Sequence, residues 1–169
     1  MTTLSKFMLS SLLVICALGV FGPGVTPARA DEDEARVLGS WKVTVTPTSP
    51  PVPGFSSLMT FTPGGGLIET RRLAVTPVPG LIPALLETPG HGAWEKIGRR
   101  TYAVSFTFLL QDPASGNEVG TDTIRWTATI GDDGETISGP WKSSVVIVGG
   151  PQIDFAGTIA GARMKVIPL

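Results

Sequence analysis

Few residues of this chain could do chemistry. His91 is the one histidine, set in Thr88-Pro89-Gly90-His91-Gly92-Ala93-Trp94. As a general base it needs an orienting carboxylate within hydrogen-bond reach, and Glu87 and Glu95 are the nearby candidates. A lone histidine between glycines also reads as a solvated or backbone-bonded loop residue. Glu69 and Arg71 alternate with Ile68, Thr70 and Arg72, so one set faces inward and the other outward if this segment is a strand. An inward Glu69/Arg71 pair would sit in an apolar interior at a large desolvation cost unless it served a ligand or a reaction. That cost favours the outer face for the pair, with Ile68 inward. One histidine and one cysteine, Cys16, do not make a zinc site. No Ser-His-Asp spacing is recognisable. Pro63-Gly64-Gly65-Gly66 is a hairpin turn and not a phosphate loop, because no helix follows it. Neither a metal nor a cofactor is expected.

The elements that must position these groups are strands. Of 169 residues, 42% are hydrophobic and 16% charged, against the ~25% charged residues of ordinary soluble domains. The 21 glycines and 15 prolines work against long helices, and a net charge of −1 lacks the basic footprint of nucleic-acid binding. Trp41-Lys42-Val43-Thr44-Val45-Thr46 alternates apolar and polar residues, as do 101–108 and 123–130, the period of half-buried strands. The pattern predicts strands at 41–46, 56–62, 66–72, 91–97, 101–110, 119–130, 135–148 and 152–167, divided by Gly-, Pro- and Asp-rich turns.

Loop lengths then predict architecture. Connections 63–65, 98–100 and 131–134 are tight, whereas Pro47–Phe55 and Leu73–Gly90 are long. In a meander these two sets fall at opposite ends. The expected fold is therefore all-β: a single antiparallel up-and-down barrel of about eight strands, closed by pairing the first with the last, with a loop-rimmed mouth. Thr44, Thr46, Thr107, Arg125, Thr127, Thr129 and Lys142 form the polar face. Tyr102, Phe106, Phe108, Trp126 and Trp141 form the aromatic one, which is too bulky to face lipid only. The candidate ligand contacts are Phe108, Leu110, Trp126 and Phe155 from strands, with Leu85 and Leu86 from loop 73–90. That loop also carries Leu81 and Ile82, and its apolar, proline-rich composition predicts a lid over the mouth.

The first 30 residues read as a secretory signal peptide: Lys6, the apolar run Phe7–Phe21, and Ala28-Arg29-Ala30 before an acidic stretch. The apolar run is shorter than the ~20 residues of a membrane helix. Ile15 stands where a lipoprotein signal wants a small residue before its cysteine. Residues 31–169 would then form one exported domain, secreted or periplasmic, with eleven basic and fourteen acidic residues and no cysteine. The partners expected are a small apolar molecule, no nucleic acid, and no integral membrane association once the signal is cleaved.

Gly39-Ser40-Trp41 resembles the G-x-W signature that opens the first strand of lipocalins and wider calycins. The resemblance implies a base plug, here Arg36-Val37-Leu38, and an arginine of the last strand, here Arg163, packed over Trp41. The family's Thr-Asp-Tyr element has no counterpart in Gly131-Asp132-Asp133-Gly134. A lipocalin-like barrel implies binding of a small apolar ligand. Similar barrels of the dirigent and allene oxide cyclase type include cyclising enzymes, so a cyclase or isomerase is the alternative, with His91, Glu69 and Arg71 as its catalytic candidates. A filled barrel serving as a structural module is the third reading. The lack of a recognisable catalytic constellation favours binding.

Overall fold

The computed structural model describes residues 36–75, 77–80 and 82–168. The signal-like segment and Leu81 lie outside the described residues. Nine strands run in chain order: β1 (Gly39–Ser49), β2 (Phe55–Thr62), β3 (Gly66–Thr70), β4 (Leu86–Glu87), β5 (Gly90–Lys96), β6 (Thr101–Gln111), β7 (Glu118–Ile130), β8 (Thr136–Ile147) and β9 (Gln152–Arg163). All pairings are antiparallel, and eight strands close in the order β1-β2-β3-β5-β6-β7-β8-β9, with β9 returning to β1. Closure leaves no free edge around the barrel. The ninth strand, β4, adds outside that circuit, pairing Leu86 with Gln111 and Glu87 with Leu110 at the end of β6.

The alternation legible in the sequence becomes the wall. Trp41, Val43 and Val45 point inward while Lys42, Thr44 and Thr46 are exposed. Ile124, Trp126, Ala128 and Ile130 do the same on β7, with Arg125, Thr127 and Thr129 outside. Two strands stop short of their patterns, and one strand is additional to them. β3 stops at Thr70 and not 72, β9 stops at Arg163 and not 167, and the two-residue β4 was not expected. Two residues are too short for any periodicity to register.

The lower half of the barrel is filled. Phe61, Trp94, Tyr102 and Trp126 interlock there, with ring centroids 5.7 Å apart for Trp94–Tyr102, 6.3 Å for Phe61–Trp94 and 6.4 Å for Phe61–Trp126. Ala128, Ile130 and Ile137 complete this fully buried layer. An eight-stranded barrel is just wide enough for its own side chains or for one small ligand. Here the bottom holds the former.

At the closed end, Val37 is buried beneath Trp41, whose indole Nε1 donates to the Val37 carbonyl at 2.9 Å. Arg163 lies over the Trp41 ring with its guanidinium carbon 4.3 Å from the centroid. It also donates to the carbonyls of Gly134 (3.1 Å), Leu38 (2.6 Å) and Arg36. Strand register explains the meeting, since Trp41 and Arg163 are directly paired between β1 and β9.

Candidate functional site

The site is set by which way β3 faces. Thr62 pairs with Gly66 across a turn whose Gly64 and Gly65 adopt φ of 82° and 87°, conformations costly for other L-residues. That register places Leu67 opposite Phe61 and Glu69 opposite Met59. Paired residues share a face, so the apolar inward set of β2 carries Leu67 and Glu69 inward with it. Glu69 is only 1% exposed, and Ile68, on the outer wall, is 43% exposed. The expectation of an outward Glu69/Arg71 pair is therefore overturned: hairpin register outweighs the desolvation cost.

Arg71, one residue beyond β3, continues the inward set and gathers the other carboxylates. Its Nε donates to Glu87 Oε2 at 2.7 Å, and its Nη2 donates to Glu87 Oε1 at 2.6 Å and to Asp122 Oδ2 at 3.0 Å. Ser143 Oγ donates to the other Asp122 oxygen. The guanidinium carbon is 4.1 Å from the Phe108 ring centroid and 4.9 Å from that of Phe55, so two aromatic faces hold the cation. Glu69 accepts from Ser57 Oγ at Oε1, and its Oε2 has no partner among the described residues. No group of three or more His, Cys, Asp or Glu side chains among the described residues is arranged to hold a metal.

Glu69, Arg71, Glu87, Asp122 and Ser143 line one side of a cavity of about 110 Å³ in the upper half of the barrel. Apart from the exposed Arg72 at its rim, the rest of its wall is apolar, including Phe106, Leu110, Ile124, Trp141, Val145 and Phe155. Trp141 fits because Gly157 lies beneath it: a Cβ there would stand 2.9 Å from the indole Nε1 and 2.2 Å from the Thr46 carbonyl.

The roof is the long connection between β3 and β4. Val78 and Ile82 exchange two backbone hydrogen bonds of 3.0 and 2.8 Å around Pro79-Gly80, and Val75 N donates to Leu85 O at 2.9 Å. This strap drops Val75, Val78, Ile82, Leu85 and Glu87 onto the cavity. Pairing of β4 with β6 then anchors its return.

Burial controls the electrostatics. Desolvation pushes the Glu69 carboxyl up to about 7, against the opposing pull of Arg71 and the Ser57 hydrogen bond. Burial also raises Glu87, with Arg71 pulling the other way. Arg71 stays protonated: burial opposes its charge, but Glu87 and then Asp122 hold it above its ordinary value. An acid raised in the folded state binds more protons there than in the unfolded chain. Stability from Glu69 is thus greatest below its ordinary value of 4.5 and falls as pH rises to about 7. We expect Glu69→Gln to stabilise the protein at pH 8 by up to about 3 kcal/mol and to change little near pH 4. Chemical denaturation at the two pH values checks this, and equal effects at both would contradict it.

The sequence-predicted site residues divide. Glu69, Arg71, Leu85, Leu110 and Phe155 line the cavity. Phe108 stands behind Arg71 as a ring platform, and Trp126 belongs to the filled layer below. Leu86 is half-buried on β4 and outside the cavity lining. His91 is exposed on the outer wall, paired between Ile68 and Thr107, and Glu95 is exposed on the same face of β5. Neither joins Glu87, which is turned inward to Arg71. The inward position of Gly90 is what puts His91 outside. Asp122, Ser143 and Ser57 were missed, although each occupies an inward phase of its strand, which is the signal that could have found them.

Comparison with protein-family models gives no match, and neither does comparison with curated proteins. Among solved structures the chain is similar to a redesigned beta barrel at 20% identity and a TM-score of 0.41, over 78% of this chain and 94% of that one.

Proposed function

We propose that this chain is an exported, lipocalin-like barrel protein that binds a small, mainly apolar molecule in the upper half of its barrel. The observation that carries the reading is the cavity of about 110 Å³, walled by apolar side chains and roofed by the strap. An apolar cavity of about 150 Å³ is enough to bind benzene, so a space of about 110 Å³ sets one ring as the upper limit of the enclosed body. Kinship with calycins is supported by Gly39-Ser40-Trp41, the Val37 plug and Arg163 over Trp41. Export is supported by the signal-like first 30 residues, and delivery outside the cytoplasm, secreted or periplasmic, follows from it.

Titration with single-ring apolar probes tests the binding reading, because Trp141 lines the cavity and reports by fluorescence. We expect saturable binding that weakens about tenfold in Leu85→Ser, which removes one buried leucine from the roof. Val145→Phe, which fills the cavity, should abolish binding while leaving the protein folded. Binding that survives both changes, or no binding by any probe, would refute the proposal.

A second reading, a cyclase or isomerase acting by confinement, is favoured by one observation. Glu69 has a carboxyl held near neutrality inside the cavity, a suitable group for moving a proton at ordinary pH. Recovery of the bound molecule unchanged separates binding from turnover.

A further inference from the structure

The cavity wall carries an imbalance of charge and two buried polar atoms without partners among the described residues, one of them a carboxyl oxygen. Three carboxyls, Glu69, Glu87 and Asp122, meet two cations, the buried Arg71 and the exposed Arg72, which leaves one carboxyl in excess. The guanidinium is engaged by Glu87 in bidentate fashion and by Asp122. Ser143 occupies the second Asp122 oxygen, and Ser57 occupies Glu69 Oε1. What is left among the carboxyl oxygens is Glu69 Oε2, almost wholly buried on a cavity-lining side chain and unpartnered among the described residues. On the apolar wall the Trp141 Nε1 donor is unpartnered among them as well. A buried carboxylate oxygen without a partner is rare in folded proteins and calls for a donor. Resting on the binding reading above, we propose that the molecule this cavity takes is a small amine: an apolar body of about one ring whose protonated nitrogen meets Oε2 of Glu69.

The alternatives fit less well on chemistry alone. A carboxylate or phosphate would enter a space where carboxyls outnumber cations, and like charges at close range in a low dielectric repel strongly. A hydrocarbon would fill the volume but leave Oε2 unsatisfied. An alcohol could donate to Oε2 and accept from Trp141 Nε1, two neutral hydrogen bonds. An ammonium group instead brings the donor and the missing positive charge together at Oε2, a stronger bond where the unbalanced charge lies.

The groups facing Glu69 support this. From β2 come Ser57 and Met59, and from β5 comes the side-chain-less Gly90. Asp122 of β7, Glu87 of β4 and Arg71 are the charged groups acting on it. Arg72, on the exposed side, acts on Glu87. Because desolvation holds the Glu69 carboxyl at about 7, ammonium binding should strengthen as pH rises through that value.

Benzylamine, benzyl alcohol and benzoate share one ring and differ in the head group. Calorimetric titration of the purified protein at about pH 8 should show benzylamine binding about tenfold or more tighter than benzyl alcohol, the factor a charge-assisted hydrogen bond confers. Benzoate should be the weakest of the three. At about pH 5.5, with Glu69 protonated, the advantage of the amine over the alcohol should shrink to about threefold or less. Glu69→Gln should erase both the preference and its pH dependence while benzyl alcohol still binds. If benzyl alcohol binds as tightly as benzylamine at pH 8, or if Glu69→Gln keeps the preference, the amine assignment is wrong and the cavity reading stands. If none of the three binds, both fall.

Discussion

Arg71→Met destabilises the protein by about 3–5 kcal/mol at pH 8, the range expected when one partner of a buried ion pair is removed. The side chain is 12% exposed, and the Glu87 and Asp122 side chains it neutralises are 6% and 7% exposed. Without the Arg71 guanidinium, Glu87, Asp122 and Glu69 face one another across the cavity with only the exposed Arg72 left near them. Met keeps much of the stem's bulk between the Phe55 and Phe108 rings, so lost packing is the smaller part of the effect. Glu69 and Glu87, whose carboxyls burial already raises, can escape by taking up protons, and that uptake becomes easier as pH falls. The loss should therefore shrink markedly at about pH 5. Adding Glu87→Gln and Asp122→Asn should recover most of the lost stability at pH 8. Urea denaturation of the single and triple variants at the two pH values measures this. A pH-independent loss, unrecovered in the triple variant, would mean that Arg71 acts by packing and not by charge.

Trp41→Ala costs about 3–5 kcal/mol, the range for deleting a large aromatic from a close-packed core. Trp41 is wholly buried, and three things depend on it: the plug bonded through Val37, the floor of the filled layer, and the face on which Arg163 lies. Arg163→Ala removes the same cation–π contact together with hydrogen bonds to three backbone carbonyls. The two losses should not add, because residues in direct contact are energetically coupled. A double-mutant cycle is expected to show about 0.5–2 kcal/mol of coupling. Strict additivity would show that the stacked geometry contributes nothing to stability.

The fold was largely legible in the amino-acid sequence because a barrel strand writes itself as a period of two. Lys42, Thr44 and Thr46 alternate with Trp41, Val43 and Val45 for a physical reason, since one face meets water and the other meets the filled interior. Alternate connections fall at opposite ends because an antiparallel chain reverses at each one, so the two long loops share one end. The short β8–β9 connection falls there too, and the strap is legible in the apolar, proline-rich composition of 73–90. Closure of β9 onto β1, and with it the meeting of Arg163 and Trp41, follows from an even number of strands in the circuit.

Only the tertiary structure decided the face of β3. Both of its alternating sets mix apolar and charged residues, so periodicity is silent there. The glycine turn at 64–65 and the pairing of Glu69 with Met59 choose the face instead. Strand closure then brings Asp122, 51 residues away in sequence, to Arg71, and the strap brings Glu87 to its other side. No local pattern encodes such a meeting, because each residue in its own strand is simply one more inward position. Whether the upper barrel is hollow is equally non-local. Its cavity is a small difference between the volume the wall encloses and the volume the side chains fill, and it lies above the layer of Trp94, Tyr102 and Trp126 although Phe106, Trp141 and Phe155 line it.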